Sequence, residues 1–226
     1  MAAPDPVPSL RERKKQQTRA RISGAAAGLF VSRGFDAVSV AEVAEAAEVS
    51  KMTVFNYFPR KEELLLDGLP EALELTGAAV RDRPAGTRPL QALEGLALGL
   101  AERRHPLAGL AEPVPRLWRT VLDSPALRAY ARECLEAVED HLAGLLAAEG
   151  EGAVQAGFTA ALGVTALRTL HTAAAVRILA GESPDAVAAD HPALVRRVFA
   201  AADRAAADFA AGEPSAGARE SDLQEG

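Results

Sequence analysis

The sequence predicts an all-α chain in which a small helix-turn-helix head precedes a larger helical body. Three observations carry that expectation. Apolar residues recur at three- and four-residue intervals from Ile22 to Phe209, and no segment shows a convincing run of alternating β-branched residues. Two short apolar stripes, within 40–47 and 50–57, are joined by a tight turn. Charge is unevenly divided: the 226 residues carry a net −6, yet residues 1–66 hold ten basic and eight acidic groups while 67–226 hold fifteen and twenty-three.

The elements follow in order. Residues 1–9, with three prolines and no periodicity, are expected to be a disordered lead-in. Ile22, Ala25, Ala26, Leu29 and Phe30 form one stripe of a first helix, and Gly34 ends it. Ser39, with Glu42 three residues on, has the spacing of a capping box for a second helix carrying Val40, Val43, Ala44 and Ala47. Ser50 opens a third helix that Phe58-Pro59 ends, with Phe55 and Phe58 expected in the core. A fourth helix is expected from near Arg60, carrying Leu65, Leu69, Ala72, Leu73 and Thr76. After a Pro/Gly loop at 81–88, Leu90, Leu93, Ala97 and Leu100 mark a helix that ends at His105-Pro106. Prolines break 107–124 into short pieces. Ser124-Pro125 starts a long helix that reaches Gly150, and another fills 152–180. Asp190 is expected to cap a last helix ending at Gly212, with a disordered tail over 212–226. That makes about nine helices. The expected domains are a head at 10–58 and a body at 59–211.

Composition excludes several classes. One cysteine, Cys134, can form neither an internal disulfide framework nor a cysteine-rich zinc module. His105, His141, His171 and His191 are too scattered for a ligand motif, and neither a G-x-S-x-G turn nor a phosphate loop is present, so no metal, cofactor or enzymatic activity is expected. The longest uncharged run, 152–167, is 16 residues, too short for a membrane span. The proline- and charge-bearing start lacks a secretory apolar core, which makes the cytoplasm the expected compartment.

The net charge argues against a nucleic-acid partner, but local basic density is what meets phosphate. Residues 11–21 hold six basic groups and one acid, and all four lysines lie within the first 61 residues. In a helix-turn-helix, small or apolar residues must sit where the helices cross, and Val43, Ala44, Val49 and Val54 fit. The second helix must present polar side chains, and Lys51, Thr53, Asn56 and Tyr57 supply them. Hydroxyl caps at Ser39 and Ser50 leave helix N–H groups available to a phosphate.

The stretch GFDAVSVAEVAEAAEVSKMTVFNYFPRKEELL, residues 34–65, resembles the DNA-binding domain of TetR-family transcriptional regulators. Gly34-Phe35, Ser39-Val40, Val43-Ala44, Ala47, Val49-Ser50, Thr53, Phe55, Tyr57-Phe58 and Lys61 carry the likeness, which covers residues 12–66. The resemblance implies that 50–57 is a recognition helix in the major groove, with Lys51, Met52 and Asn56 facing bases. Ser39, Ser50, Thr53, Tyr57 and Lys61 would hold phosphates, and the basic segment, with Arg19 and Arg21, would follow the backbone or an adjacent minor groove. Glu48 and Met52 depart from positions often held by glycine in this family. If Glu48 takes a positive φ, it costs on the order of 1 kcal/mol.

The resemblance further implies a homodimer on double-stranded DNA and a small-molecule effector that releases a repressor from a palindromic operator. The last two long helices would pair between protomers, with Leu162, Val195, Val198 and Phe199 at the interface. An effector pocket would be lined by Trp118, Leu122, Cys134, His141, Phe158 and His171. The scarcity of aromatics there suits a lipophilic or acyl-like molecule. Alternatives stay open: activation instead of repression, a helical ligand-binding or interaction protein with a non-functional head, and an enzyme whose site is assembled only in space.

Overall fold

A computed structural model describes residues 9–110 and 114–212, including the backbone of 114–116. Among these residues the chain is helical, without strands. It divides into two compact units, Met1–Leu69 with Glu112–Cys134 and Pro70–Ala111 with Leu135–Gly226. No helix among the described residues is long and apolar enough to cross a membrane. The expected disordered stretches 1–8 and 213–226 lie outside the described residues.

The first unit begins with α1, Leu10–Arg33. Ser9 is not lead-in. It caps α1 in a full capping box, its hydroxyl accepting from Glu12 N–H while Glu12 Oε2 accepts from Ser9 N–H (2.7 Å). The S-x-x-E spacing is legible in the sequence. The basic run is therefore the opening turns of a helix, with Arg11, Arg13, Lys14 and Lys15 all exposed. Two short helices follow, α2 (Val40–Ala46) and α3 (Lys51–Tyr57).

The turn between α2 and α3 shows why 47–50 reverses so sharply. Val49 N–H reaches back to the Ala44 carbonyl and Glu48 N–H to the Glu45 carbonyl, a Schellman arrangement that places Glu48 in the left-handed region at φ 52. A side chain with a Cβ is strained there. Replacing Glu48 with glycine is expected to stabilise the unit by about 1 kcal/mol, read as a raised denaturation midpoint; an unchanged or lowered midpoint contradicts it.

The expected helix from Arg60 forms differently. Glu62–Leu64 is a single 3-10 turn, and α4 starts only at Leu69 and runs to Arg81. Asp67-Gly68 supplies the break. The other part of this unit is α6 (Val114–Asp123) and the start of α7 (Pro125–Ala148). Ser124 is buried between them. Its hydroxyl caps α7 by accepting from Leu127 N–H and donates to Asp36 Oδ1 (3.0 Å). One apolar core unites Ile22, Ala26 and Phe30 of α1 with Phe35, Val38, Val43, Val54, Phe58, Leu64, Val121 and Leu127. Its composition shows that α6, a fragment by sequence, completes the core around the helix-turn-helix.

The second unit contains most of α4, α5 (Pro89–Glu102), a 3-10 turn at Pro106–Ala108, the rest of α7, α8 (Ala153–Leu179) and α9 (Pro184–Gly212). α8 packs chiefly on α9, and both pack on α5. Gly163 brings α8 close to α5: a Cβ there would lie 2.8 Å from Leu93 Cδ1. The last helix starts before Asp190. Ser183 caps it from just ahead of Pro184, accepting from Ala186 N–H (3.1 Å), and Pro192 lies inside the helix. Asp190 instead pairs with Arg177 of α8 (3.1 Å). Proline costs α9 one backbone hydrogen bond without ending it.

Candidate nucleic-acid interface

α3 has two distinct faces. Val54 is fully buried, and Phe58 follows it into the core. The opposite face, Lys51, Met52, Phe55 and Asn56, is exposed, with Met52 at 69% of its full accessibility. Phe55 is a correction to the expected core position. It is 38% exposed, because a residue one step past Val54 lies off the buried stripe, and the Lys51 ammonium stands 5.8 Å from its ring centroid. The exposed face thus pairs an amide, an ammonium and two apolar groups, chemistry that can meet adenine, guanine and a thymine methyl.

The helix entries are built by their caps. Ser50 Oγ accepts from Thr53 N–H (3.0 Å) and lies 2.8 Å from Thr53 Oγ1, so the half-buried Thr53 is fixed against its own cap. Ser39 and Glu42 complete a capping box, and Arg33 adds a salt bridge to Glu42 (2.7 Å). Hydrogen bonds from the Ser39 backbone, the Ser39 hydroxyl and Arg33 hold the Glu42 carboxyl down to about 2 from its ordinary 4.5. A depressed carboxyl stabilises the fold above its unfolded value and loses that contribution as pH falls through its folded value. The stability difference between the native chain and Glu42→Gln is therefore expected to be constant above about pH 5.5 and to shrink as pH falls from 4.5 towards 2. A difference that does not change over that range contradicts the assignment.

Several candidate residues already have partners within the first unit. Lys61 is half-buried. Its ammonium donates to the Phe35 carbonyl (2.7 Å) and lies 4.2 Å from the Phe35 ring centroid, and burial pulls its pKa below the ordinary lysine value. Arg19 donates to the Tyr57 carbonyl and to Asp67. Tyr57 is half-buried and packs against the core. Arg21 is exposed, as are Ser39 and Ser50. The structure thus places Lys51, Met52 and Asn56 together on one open face, while Lys61 is half-buried behind it and Arg19, its side chain 39% exposed, bonds to the Tyr57 carbonyl and Asp67. Phe55 on that face and Asp67 behind it were not anticipated.

The expected effector residues are divided between the two units. Trp118, Leu122 and Cys134 belong to the first unit and His141, Phe158 and His171 to the second. Trp118 packs against the first unit's core, and Leu122 is 49% exposed. Cys134 is half-buried and hydrogen-bonded with Tyr130, and burial pushes its thiol pKa up. His141 lies against Gly77, where a Cβ would sit 2.6 Å from its Nε2. Phe158 stacks at a tilt on Phe209, centroids 4.7 Å apart. His171 Nδ1 hydrogen-bonds the Leu107 carbonyl (3.1 Å), and burial lowers its pKa.

Two of the expected interface residues need a correction. Val195 and Phe199 are completely buried within the single chain and fill their own unit's core, so they offer no surface to a partner. Leu162 and Val198 are half-buried.

Comparison with known proteins bears on this geometry. Residues 22–67 match the family profile described as bacterial regulatory proteins, tetR family. The chain is 35% identical over 144 residues to the HTH-type transcriptional regulator TcmR of Streptomyces glaucescens, covering 62% of this chain and 64% of TcmR. It is 36% identical over 96 residues to the HTH-type transcriptional repressor KstR of Mycolicibacterium smegmatis, covering 41% of this chain and 47% of KstR. The matched region thus spans less than two thirds of either relative. In fold, the chain is similar to NalD, the secondary repressor of the MexAB-OprM multidrug efflux pump in Pseudomonas aeruginosa, with a TM-score of 0.54 and 19% identity over 82% of this chain and 96% of NalD. Residues 22–67, which match that profile, are similar to the tetR-family regulatory domain and contain the second half of α1 and the whole of α2 and α3.

Proposed function

We propose that the chain is a sequence-specific transcriptional regulator that binds double-stranded DNA through α3, acting in the cytoplasm as a homodimeric repressor released by a small effector. The observation that carries this reading is the open face of α3, where Lys51, Met52 and Asn56 stand clear of the core on a helix whose opposite side is locked by Val54 and Phe58. The names of TcmR and KstR, a transcriptional regulator and a transcriptional repressor, support it.

One seven-residue helix covers only part of a groove turn, so useful specificity asks for two half-sites and a two-fold symmetric protein. The second unit is assigned effector binding and dimerisation. Leu162 of α8 and Val198 of α9 remain the interface candidates there, and His141, Phe158 and His171 the effector candidates.

Fluorescence anisotropy with a duplex from the intergenic DNA beside the chain's own gene tests the reading. The expected result is saturable binding that weakens as salt rises and exceeds binding to a shuffled duplex of the same composition by about 10³-fold or more. Equal affinity for the two duplexes contradicts sequence-specific binding and favours a helical ligand-binding protein.

A further inference from the structure

The short α3 raises a physical problem that Arg19 solves. Roughly half of the carbonyls of a seven-residue helix have no partner within it, and it holds its orientation through what its ends and buried face touch. Val54 and Phe58 fix the buried face. At the C-terminal end, Phe58 N–H bonds to the Val54 carbonyl (2.8 Å), and the Tyr57 carbonyl is the last of the helix. Arg19 Nη1 donates to that carbonyl (3.0 Å) across 38 residues of sequence. The other prong of the guanidinium, Nη2, pairs with Asp67 Oδ2 (3.1 Å), and the guanidinium carbon stands 4.3 Å from the Phe58 ring centroid. One planar group on α1 thus holds the end of α3, the ring that anchors it and the segment ahead of α4. Its positive charge also lies at the negative end of the helix.

We infer that Arg19 is a positioning residue for DNA recognition: it sets the angle at which α3 presents Lys51, Met52 and Asn56, and it does so through contacts within the protein instead of a contact with phosphate. The inference rests on the DNA-binding reading above. Lysine could replace the charge but not the fork, because its single ammonium cannot hold a carbonyl and a carboxylate in one plane while stacking on a ring. Arg21, exposed two residues away, lies outside that fork, whereas Arg19, its side chain 39% exposed, is held in it.

The test compares Arg19→Lys, Arg19→Gln, Asp67→Asn and Arg21→Ala in the full chain. The probes are a duplex enriched from a random-sequence pool by the wild-type protein and a shuffled duplex. A positioning role predicts that both Arg19 variants lose about tenfold in affinity for the enriched duplex, while the slope of log affinity against log salt stays at the wild-type value. Arg21→Ala should reduce that slope by about 0.9, as loss of a phosphate contact does. Asp67→Asn gives the most discriminating sign. Removing an acid from a DNA-binding unit should tighten binding on electrostatic grounds alone, whereas loosening the Arg19 fork should weaken it.

Hydrogen exchange adds a readout that needs no DNA: the Phe58 amide should exchange faster in both Arg19 variants. Near-wild-type affinity in Arg19→Lys, a slope reduced by about 0.9 in Arg19→Gln, or tighter binding by Asp67→Asn overturns the inference. If the pool yields no enriched duplex, the DNA-binding reading fails by itself. The exchange measurement then still decides the clamp, and unchanged protection at Phe58 removes it.

Discussion

Phe30→Ala is expected to destabilise the first unit by about 3–5 kcal/mol. The ring is 1% exposed and meets Phe35 at a tilt, centroids 4.9 Å apart. The Phe35 carbonyl is in turn the acceptor for Lys61, and the Lys61 ammonium lies 5.8 Å from the Phe30 ring. Truncation at Phe30 therefore opens a cavity where α1 meets the loop that leads into α2, and removes packing beneath a partly desolvated cation. Domains of ordinary size are stable by only about 5–15 kcal/mol, so this is a large fraction of the total. The single tryptophan, Trp118, packs against the same core, so its fluorescence reports on this unit during chemical denaturation. The midpoint should fall sharply with little change in slope. A loss below about 1 kcal/mol would mean that the site collapses around the missing ring or that Phe30 is not central to the core.

Asn56→Ala should act on the other face and in another way. The amide is exposed, on the open side of α3. Its removal should leave denaturation nearly unchanged and cost about 1–3 kcal/mol of discrimination at one base position. The physical reason is that an amide can donate to adenine N7 and accept from adenine N6 at once, a pairing that no other base edge satisfies equally. Binding to shuffled DNA should hardly change, since phosphate contacts supply that affinity. Binding measured against duplexes varied one position at a time checks this. A uniform loss at every position, or preference left intact, would remove Asn56 from base reading.

Much of this architecture is legible in the residues. The stripe from Ile22 to Phe30, the Ser39–Glu42 box, the Ser50 cap and the Ser124-Pro125 start each depend on neighbours within four positions, and each forms as its spacing predicts. The positive φ at Glu48 is legible for the same reason, since a turn this tight needs one left-handed residue. Local signals are present at the departures as well. Ser9–Glu12 is a capping box, and Ser183-Pro184 repeats the pattern of Ser124-Pro125. The exposure of Phe55 follows from its angular offset from Val54 and Phe58.

The site's basic residues were less legible. Lysine and arginine read as candidate phosphate contacts wherever they fall near a recognition helix. Whether their charge faces solvent depends on partners far away in sequence, such as Tyr57 and Asp67 for Arg19 or Phe35 for Lys61. The same limit applies to Val195 and Phe199. An apolar stripe on a late helix looks identical whether it faces its own core or another protomer, and only the packing of α8, α9 and α5 separates the cases.

The central claim is that the open face of α3 reads DNA sequence. Selection from a random-sequence duplex pool, run in parallel with the wild-type chain and with Asn56→Ala, tests it most directly. The account predicts that the wild type enriches a two-fold symmetric motif, and that Asn56→Ala enriches the same motif with preference lost at one position in each half-site. A pool that stays random through successive rounds with the wild type would contradict it.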